Sequence, residues 1–183
     1  MRIFREHELR CDMVLASACL PFAFQAVEVR DDHGSEHFWD GGYTGNPALW
    51  PLFYATTAQD LLLIQINPLQ RDDLPDTAQE IIERSSEIGF NASLLHELRA
   101  IDFVQRLLAE HKLDPAHYRR VRLHMIGGDG RLGRYRASSK YDTRPAFLRE
   151  LFALGREAAL EWLELKMDYV GRAGTVRIAE TFL

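Results

Sequence analysis

One apolar run limits the folds open to this chain more than any other feature. Residues 61–66 read Leu-Leu-Leu-Ile-Gln-Ile and are followed at once by Asn67 and Pro68. Such a run suits a strand that is buried on both faces, as in a parallel sheet between layers of helices. Parallel strands need long crossover connections, which are usually helical. The run therefore predicts an α/β fold with helices packed outside the sheet.

The rest of the chain alternates between strand and helix patterns. Alternation and turn residues predict five elements before the apolar run: a strand over Arg2–Glu6, a short helix over Asp12–Cys19, strands over Phe24–Arg30 and Glu36–Trp39 joined by a turn at Asp31–Gly34, and a helix over Pro47–Thr57. After the run, a capping box at Thr77–Glu80 starts a long helix whose apolar face is Leu94, Leu95, Leu98, Ile101, Val104, Leu107 and Leu108.

The last third of the chain predicts one more strand and one more long helix. Val121–Ile126 has strand character, and we expect a turn over residues 127–130 (Gly-Gly-Asp-Gly) after it. Pro145 begins the helix and Gly171 ends it. Its predicted apolar face consists of Leu148, Leu151, Phe152, Ala159, Trp162 and Leu163.

Composition excludes several classes of function. The 183 residues are 46% hydrophobic, which is enough for one core and favours a single domain over 1–183. The net charge of −5 gives no general attraction to nucleic acid. No run of 18 or more apolar residues exists to span a membrane. Cys11 and Cys19 lack framework spacing, so we expect reduced core thiols and a reducing, cytoplasmic setting.

The most informative block combines three short segments. Residues 16–21 read Ala-Ser-Ala-Cys-Leu-Pro, residues 38–42 read Phe-Trp-Asp-Gly-Gly after the predicted hairpin, and Asn46-Pro47 follows. Asp-Gly-Gly alone occurs by chance in many turns, but the combination at this spacing is far more specific. Together the segments resemble the second signature of patatin-like phospholipases. The resemblance is strong over the first third of the chain, and residues 61–183 add no sharp motif to it.

The resemblance implies a layered patatin-like sheet with flanking helices and an acyl hydrolase with a Ser–Asp dyad. Asp40 would be the general base, with Gly41 and Gly42 shaping its loop, and lipid or other acyl esters would be the substrates. It implies a cytoplasmic protein of lipid metabolism that needs no metal or organic cofactor, with membrane contact and self-association left open. We expect the Asp40 carboxylate at the surface of a cleft, near Tyr43 and Asn46. The competing interpretation is an aspartate that only caps a turn.

The nucleophile of that family is missing from this sequence. The family carries a Gly-x-Ser-x-Gly elbow upstream of the aspartate, and none of the seven serines here has that environment. The resemblance therefore implies the C-terminal portion of a catalytic domain. An alternative division would give a catalytic remainder at 1–70 and a helical extension at 71–183. We expect the isolated chain to be inactive and to expose an apolar surface where strands are missing.

Other functions remain open on the sequence alone. The chain could be a non-catalytic structural or regulatory module that packs on a partner, or an α/β binding module. His33, His37 and Asp40 could be considered as metal ligands, but a strand would turn His37 and Asp40 to opposite faces. The arginine-rich stretch Arg119–Arg136 could contact phosphate, although a solvated surface explains it as well.

Overall fold

The computed structural model describes residues 1–32, 34–127, 130–135, 139 and 141–183. The chain divides into two compact units, Met1–Ala55 and Thr56–Leu183. Helices are combined with two small sheets, so the predicted α/β class holds in its broad sense. None of the helices in the described part of the chain is both long and apolar enough to cross a membrane.

The first unit is built around a β-hairpin. Helix α1 (Cys11–Ser17) precedes strands β1 (Val27–Asp31) and β2 (Gly34–Phe38), which pair antiparallel with Val27 opposite Phe38 and Asp31 opposite Gly34. A 3-10 helix at Gly41–Tyr43 and helix α2 (Trp50–Ala55) follow. The hairpin confirms the prediction from alternation, while His33 of the predicted turn lies outside the described residues.

The small core of this unit forms between α1 and the hairpin. Met13, Ala16 and Val29 are buried, and partly buried apolar side chains pack against them, namely Phe4, Val27 and Phe38. Cys19 is buried as expected, but Cys11 is exposed at the first position of α1, so the prediction of two core thiols was wrong for Cys11.

The strand predicted over Arg2–Glu6 was wrong. Glu6–Glu8 forms a 3-10 helix instead, and the Glu8 carboxylate accepts a hydrogen bond from the Arg5 backbone N–H at 2.8 Å. Side chains rather than a strand ladder hold this segment in place. The Phe4 ring packs edge-on against Phe38 at 5.5 Å, and Arg2 forms ion pairs with acidic residues of the hairpin. Alternation alone does not supply the partner strand that a β-strand needs.

The second unit contains a parallel strand pair, formed by two strands that the sequence predicts. Strand β3 (Asp60–Gln65) lies parallel to β4 (Arg122–Gly127), with Asp60 opposite Arg122 and Gln65 opposite Gly127. The connection between them contains helix α3 (Ala78–Ala109). The capping box at its start is present: the Thr77 hydroxyl accepts from the Glu80 N–H at 3.2 Å, and the Glu80 carboxylate accepts from the Thr77 N–H at 3.3 Å.

The prediction that β3 is buried on both faces was wrong. Leu63 and Gln65 are buried, but Leu62 and Ile64 on the opposite face are 44% and 66% exposed. The structure covers one face of this two-stranded sheet and leaves the other uncovered, because residues of a strand point alternately to its two faces. The expectation of an exposed apolar surface is confirmed at this strand face.

Helix α3 packs with the face that its periodicity predicts. Leu94, Leu98, Ile101 and Leu108 are buried on it. One turn earlier the same face continues with a polar residue, Asn91, whose amide nitrogen donates to the Pro68 carbonyl oxygen at 2.9 Å. The helix thus fixes the loop that follows β3 as well as the apolar core.

Helix α4 (Pro145–Lys166) begins at the predicted proline, and a 3-10 helix at Met167–Tyr169 leads to Gly171, which has a φ of +80°. Its predicted apolar face was wrong at three of the six positions. Trp162 is buried, whereas Leu148, Phe152 and Leu163 are about half exposed or more. A short helix that the sequence did not predict, α5 (Ile178–Thr181), adds Ile178 to the core.

Candidate functional site

The predicted catalytic aspartate lies just beyond the hairpin. Strand β2 ends at Phe38, and the Asp40 N–H donates to the Cys19 carbonyl oxygen at 2.9 Å. Asp40 then caps the 3-10 helix that follows, with its Oδ1 accepting a hydrogen bond from the Gly42 N–H at 2.8 Å. The first bond fixes the backbone at Asp40, and the second fixes its side chain.

Gly41 and Gly45 follow Asp40 and differ in whether the surrounding packing requires a glycine. A Cβ added at Gly41 would meet no atom within 4 Å, so packing does not require glycine at that position of the described chain. At Gly45, by contrast, an added Cβ would lie 2.7 Å from the Cβ of Ala48. The close approach of Gly45 to Ala48 requires a residue without a side chain, and the sequence analysis did not single Gly45 out.

The Asp40 carboxylate is half-buried and carries no counter-charge among the described residues. Within that same part of the chain, Oδ2 makes no hydrogen bond, since the Gly42 N–H binds Oδ1. This geometry fits a turn cap, and it equally leaves one carboxylate oxygen able to accept a proton.

Exposed aromatic residues stand near Asp40 in the sequence, Trp39 before it and Tyr43 after it. The Trp39 indole N–H donates to the Phe24 carbonyl oxygen at 3.1 Å. The Tyr43 ring packs edge-on against Phe22, with their centroids 6.2 Å apart. These two contacts join residues 22–24 to the turn that carries Asp40.

Metal binding finds no support in the described residues. They contain no group of three or more histidine, cysteine, aspartate or glutamate side chains that could hold an ion. His37 is exposed on β2, while Asp40 lies beyond the end of that strand, and His33 is outside the described residues.

A partly buried polar network in the second unit was missed by the sequence analysis. The Asp60 carboxylate accepts two hydrogen bonds from Arg122, at 2.9 and 2.7 Å, and one each from His124 Nε2 and the Gly171 N–H, both at 3.0 Å. His124 is 1% exposed, and its Nδ1 lies 3.1 Å from the Thr175 hydroxyl oxygen. Hydrogen bonds from Arg122 and then from His124 hold the pKa of Asp60 well below its ordinary value.

This network has the order of a Thr–His–Asp relay, but its chemistry is structural. A carboxylate can only accept, so His124 Nε2 carries the proton and Nδ1 accepts from Thr175 when the ring is neutral. Arg122 neutralises Asp60, which weakens any support that Asp60 would give to a protonated imidazole. The Leu123 carbonyl oxygen also accepts from the backbone N–H groups of Thr175 and Val176. The network fastens Gly171 to β3 and residues 175–176 to β4.

The sequence offered one signal for this network, since His124 stands between the apolar residues Leu123 and Met125, and it offered the opposite charges of Asp60 and Arg122. They acquire meaning only once the register places Asp60 opposite Arg122. A histidine within an apolar strand is a buried residue that needs hydrogen-bond partners.

The arginine-rich stretch is largely occupied by contacts within the chain. Arg122 binds Asp60, Arg131 pairs with Glu161, and Arg134 pairs with Glu150 at 3.0 Å. Arg136 lies outside the described residues. These pairs favour a solvated, internally paired surface over a phosphate site.

Comparison with known proteins returned no relative: no family model, curated protein or solved structure matches this chain.

Proposed function

We propose that this chain carries the general-base part of a patatin-like acyl ester hydrolase with a Ser–Asp dyad, and that Asp40 is the base. The supporting observation is the state of its carboxylate. Oδ1 is fixed by the Gly42 N–H, while no Arg or Lys of the described residues pairs with Asp40. A base must be positioned and must keep an oxygen available for the proton, and this arrangement provides both.

In the proposed reaction, Asp40 accepts the proton of a serine hydroxyl as the serine oxygen attacks the ester carbonyl. The proton then passes to the departing alcohol, leaving an acyl-serine. Water attacks the acyl group, Asp40 accepts a proton from that water, and the serine oxygen recovers a proton as the carboxylic acid leaves. The cycle consumes one water and needs neither a metal nor an organic cofactor.

The serine of this dyad must come from outside the 183 residues, because they contain no Gly-x-Ser-x-Gly. We predict that the purified chain does not turn over p-nitrophenyl esters. Loss of the nucleophile from a set of cooperating catalytic residues lowers the rate by a factor on the order of 10⁶ in a serine protease such as subtilisin. Turnover that is titrated by a serine-directed fluorophosphonate would show that the chain has its own nucleophile.

The coding sequence upstream of the Met1 codon provides the first test of the proposal. An in-frame Gly-x-Ser-x-Gly there would identify the longer polypeptide to express. In that polypeptide, Asp40→Asn should lower esterase activity by about 10²–10⁴-fold. Asparagine keeps a side-chain oxygen that can accept from the Gly42 N–H, so the melting temperature should stay unchanged.

Asp32→Asn is a matched control, since Asp32 is an exposed aspartate of the same unit. It should change neither activity nor melting. If Asp40→Asn keeps more than half of the activity, Asp40 is not the base. If it loses activity and also melts much earlier, the carboxylate acts as a structural cap.

A non-catalytic module that packs on a partner is the second candidate function. It is favoured by the uncovered apolar face of β3, where Leu62 and Ile64 are exposed. The absence of a serine elbow from any longer polypeptide, together with an inactive chain, would favour this candidate over the hydrolase.

A further inference from the structure

Within the described residues, strand β3 has a partner strand along one edge only, the edge that faces β4. The Arg122 N–H donates to the Gln59 carbonyl oxygen at 2.7 Å. Because backbone groups alternate in direction along a strand, the odd-numbered residues of β3 direct their N–H and C=O groups to β4. The N–H and C=O groups of Leu62 and Ile64 therefore face the other edge, where the described chain offers them no hydrogen bond.

The opposite edge of the same sheet is covered. The Leu123 carbonyl oxygen, which points away from β3, accepts from the N–H groups of Thr175 and Val176 at 2.9 and 3.1 Å. Edges that stay free usually carry charged side chains that prevent pairing. The sequence contains no charged residue from Leu61 to Gln70, so the free edge of β3 lacks this protection.

The free edge is also the apolar part of the strand. Leu62, Ile64 and Ile66 are 44%, 66% and 68% exposed, respectively. An occupant of this edge must supply backbone N–H and C=O groups at two-residue intervals together with apolar side chains. An extended strand meets both requirements, because it adds to the sheet through its main chain.

The β3 strand of a second copy is such a strand. When a two-fold axis perpendicular to the sheet passes between the Leu63 residues of two copies, Leu62 of one copy stands opposite Ile64 of the other. These residues then exchange N–H···O=C bonds, and their side chains lie on one face. Like charges stay apart, since the two Asp60 carboxylates are about 20 Å from each other and each is paired with Arg122.

Helix α4 gives a second copy an advantage over an isolated strand. His124 stands opposite Leu62, and the Trp162 ring of α4 lies edge-on to His124 at 5.8 Å, so α4 packs over β4 beside the exposed side chains of β3. In a sheet of order β4–β3–β3–β4, the two β4 strands are about 14 Å apart. Helices of about 10–12 Å diameter over those strands flank the central β3 pair from both sides and reduce its exposure.

We infer that the chain forms a two-fold dimer in which the free edges of β3 pair antiparallel and make a four-stranded sheet. The inference goes beyond the proposed hydrolase, and β3 and Asp40 belong to different units. Each β3 has six residues, so the contact is smaller than the roughly 800 Å² per partner of a standard interface. We therefore expect a dissociation constant in the micromolar range.

Sedimentation equilibrium of the full chain across the micromolar range measures the dimer, and hydrogen exchange locates it. The N–H groups of Leu62 and Ile64 should exchange more slowly as the protein concentration rises, because they become bonded only in the dimer. The Leu63 N–H faces β4 in the monomer as well, so the dimer should add no new bond to it.

Ile64→Lys should raise the dissociation constant at least about ten-fold, because it places a charge on the edge of both copies. Ile82→Lys is the matched control, since Ile82 is 61% exposed on α3, and it should leave the constant unchanged. Ile64→Pro removes an N–H that makes no bond to β4, so it should abolish the dimer and keep the fold. Ile64→Thr retains that N–H and should weaken the dimer less. Circular dichroism checks the fold of each variant.

A monomer throughout the micromolar range would overturn the inference. So would equal effects of Ile64→Lys and Ile82→Lys, or exchange at Leu62 and Ile64 that is independent of concentration. Growth beyond a dimer would also overturn it, because two-fold pairing closes the assembly. Equal effects of Ile64→Pro and Ile64→Thr in folded variants would show that side chains bind without strand pairing. If Ile64→Pro fails to fold, the exchange data and the comparison of Ile64→Lys with Ile82→Lys decide the matter.

Discussion

Replacing Asp60 with alanine should destabilise the second unit more than any exposed ion pair does. The carboxylate accepts from Arg122, His124 and the Gly171 N–H. Alanine removes all of these bonds at once. The consequence differs for each donor, because they differ in access to water.

The loss of Asp60 destabilises the protein mainly through His124. Its ring is 1% exposed, so the Nε2 proton would have no water to bind, and a buried unsatisfied donor costs about 2 kcal/mol. Arg122 is partly exposed, so its guanidinium turns to solvent and adds little. With a urea m-value of about 1–2 kcal/mol per molar, the midpoint should fall by roughly 1–2 M.

Urea unfolding followed by tryptophan emission measures this change in the right unit. Trp162 is buried and its ring lies edge-on to His124 at 5.8 Å, whereas Trp39 and Trp50 are about half exposed. The blue part of the emission therefore reports on the second unit. Glu110→Ala is the control, since Glu110 forms an exposed pair with Lys112 in the same unit, and it should leave the midpoint unchanged.

The pH dependence supplies an independent check with a definite sign. The folded-state pKa of Asp60 is lowered by Arg122 and His124, so Asp60 binds fewer protons in the folded state than in the unfolded state. Its stabilising contribution is present above the ordinary aspartate pKa of about 3.9 and is lost as the pH falls below it. The difference in unfolding free energy between wild type and Asp60→Asn should therefore shrink from pH 6 to pH 2. A constant difference, or equal midpoints for Asp60→Ala and Glu110→Ala, would refute the reasoning.

Further predictions concern backbone fit and a second buried charge. In thermal melts, Gly127→Ala should lower the free energy of unfolding by at least about 1 kcal/mol, since Gly127 has a φ of +99° and an added Cβ would lie 2.3 Å from the Gln65 carbonyl oxygen. Gly155→Ala should instead raise the free energy of unfolding by about 0.5–1 kcal/mol, because an added Cβ on helix α4 would meet no atom within 4 Å. Burial raises the pKa of the Glu87 carboxyl, but its bonds to Arg71 and Arg84 outweigh burial, so the pKa is lowered and Glu87 stays ionised. Glu87→Ala should therefore lower the free energy of unfolding in urea by about 2 kcal/mol. An unchanged Glu87→Ala midpoint would show that water replaces those pairs.

For the candidate site, the sequence predicted the neighbourhood but not the contacts. The hairpin before Asp40 follows from alternating residues, and the cap on the turn follows from Asp-Gly-Gly. The contact between Phe22 and Tyr43 does not follow, because these residues are far apart in the sequence and meet only when the segment after Cys19 is bound to the turn at Asp40.

The sequence by itself determined the elements whose signals are local. Such signals act between residues that are close in the sequence, so each element was predicted from the sequence alone. They are the Thr77 capping box, the helix start at Pro145 and the apolar run of β3.

Only the tertiary structure decided which faces are buried and which polar groups meet. Leu62 and Leu63 are equally apolar, yet one is 44% exposed and the other 3%, because the sheet is covered on a single face. The Asp60–His124 bond joins residues 64 positions apart and depends on the register of β3 against β4. Burial and long-range hydrogen bonds are properties of the neighbours that a residue acquires on folding, and those neighbours are not adjacent in the sequence.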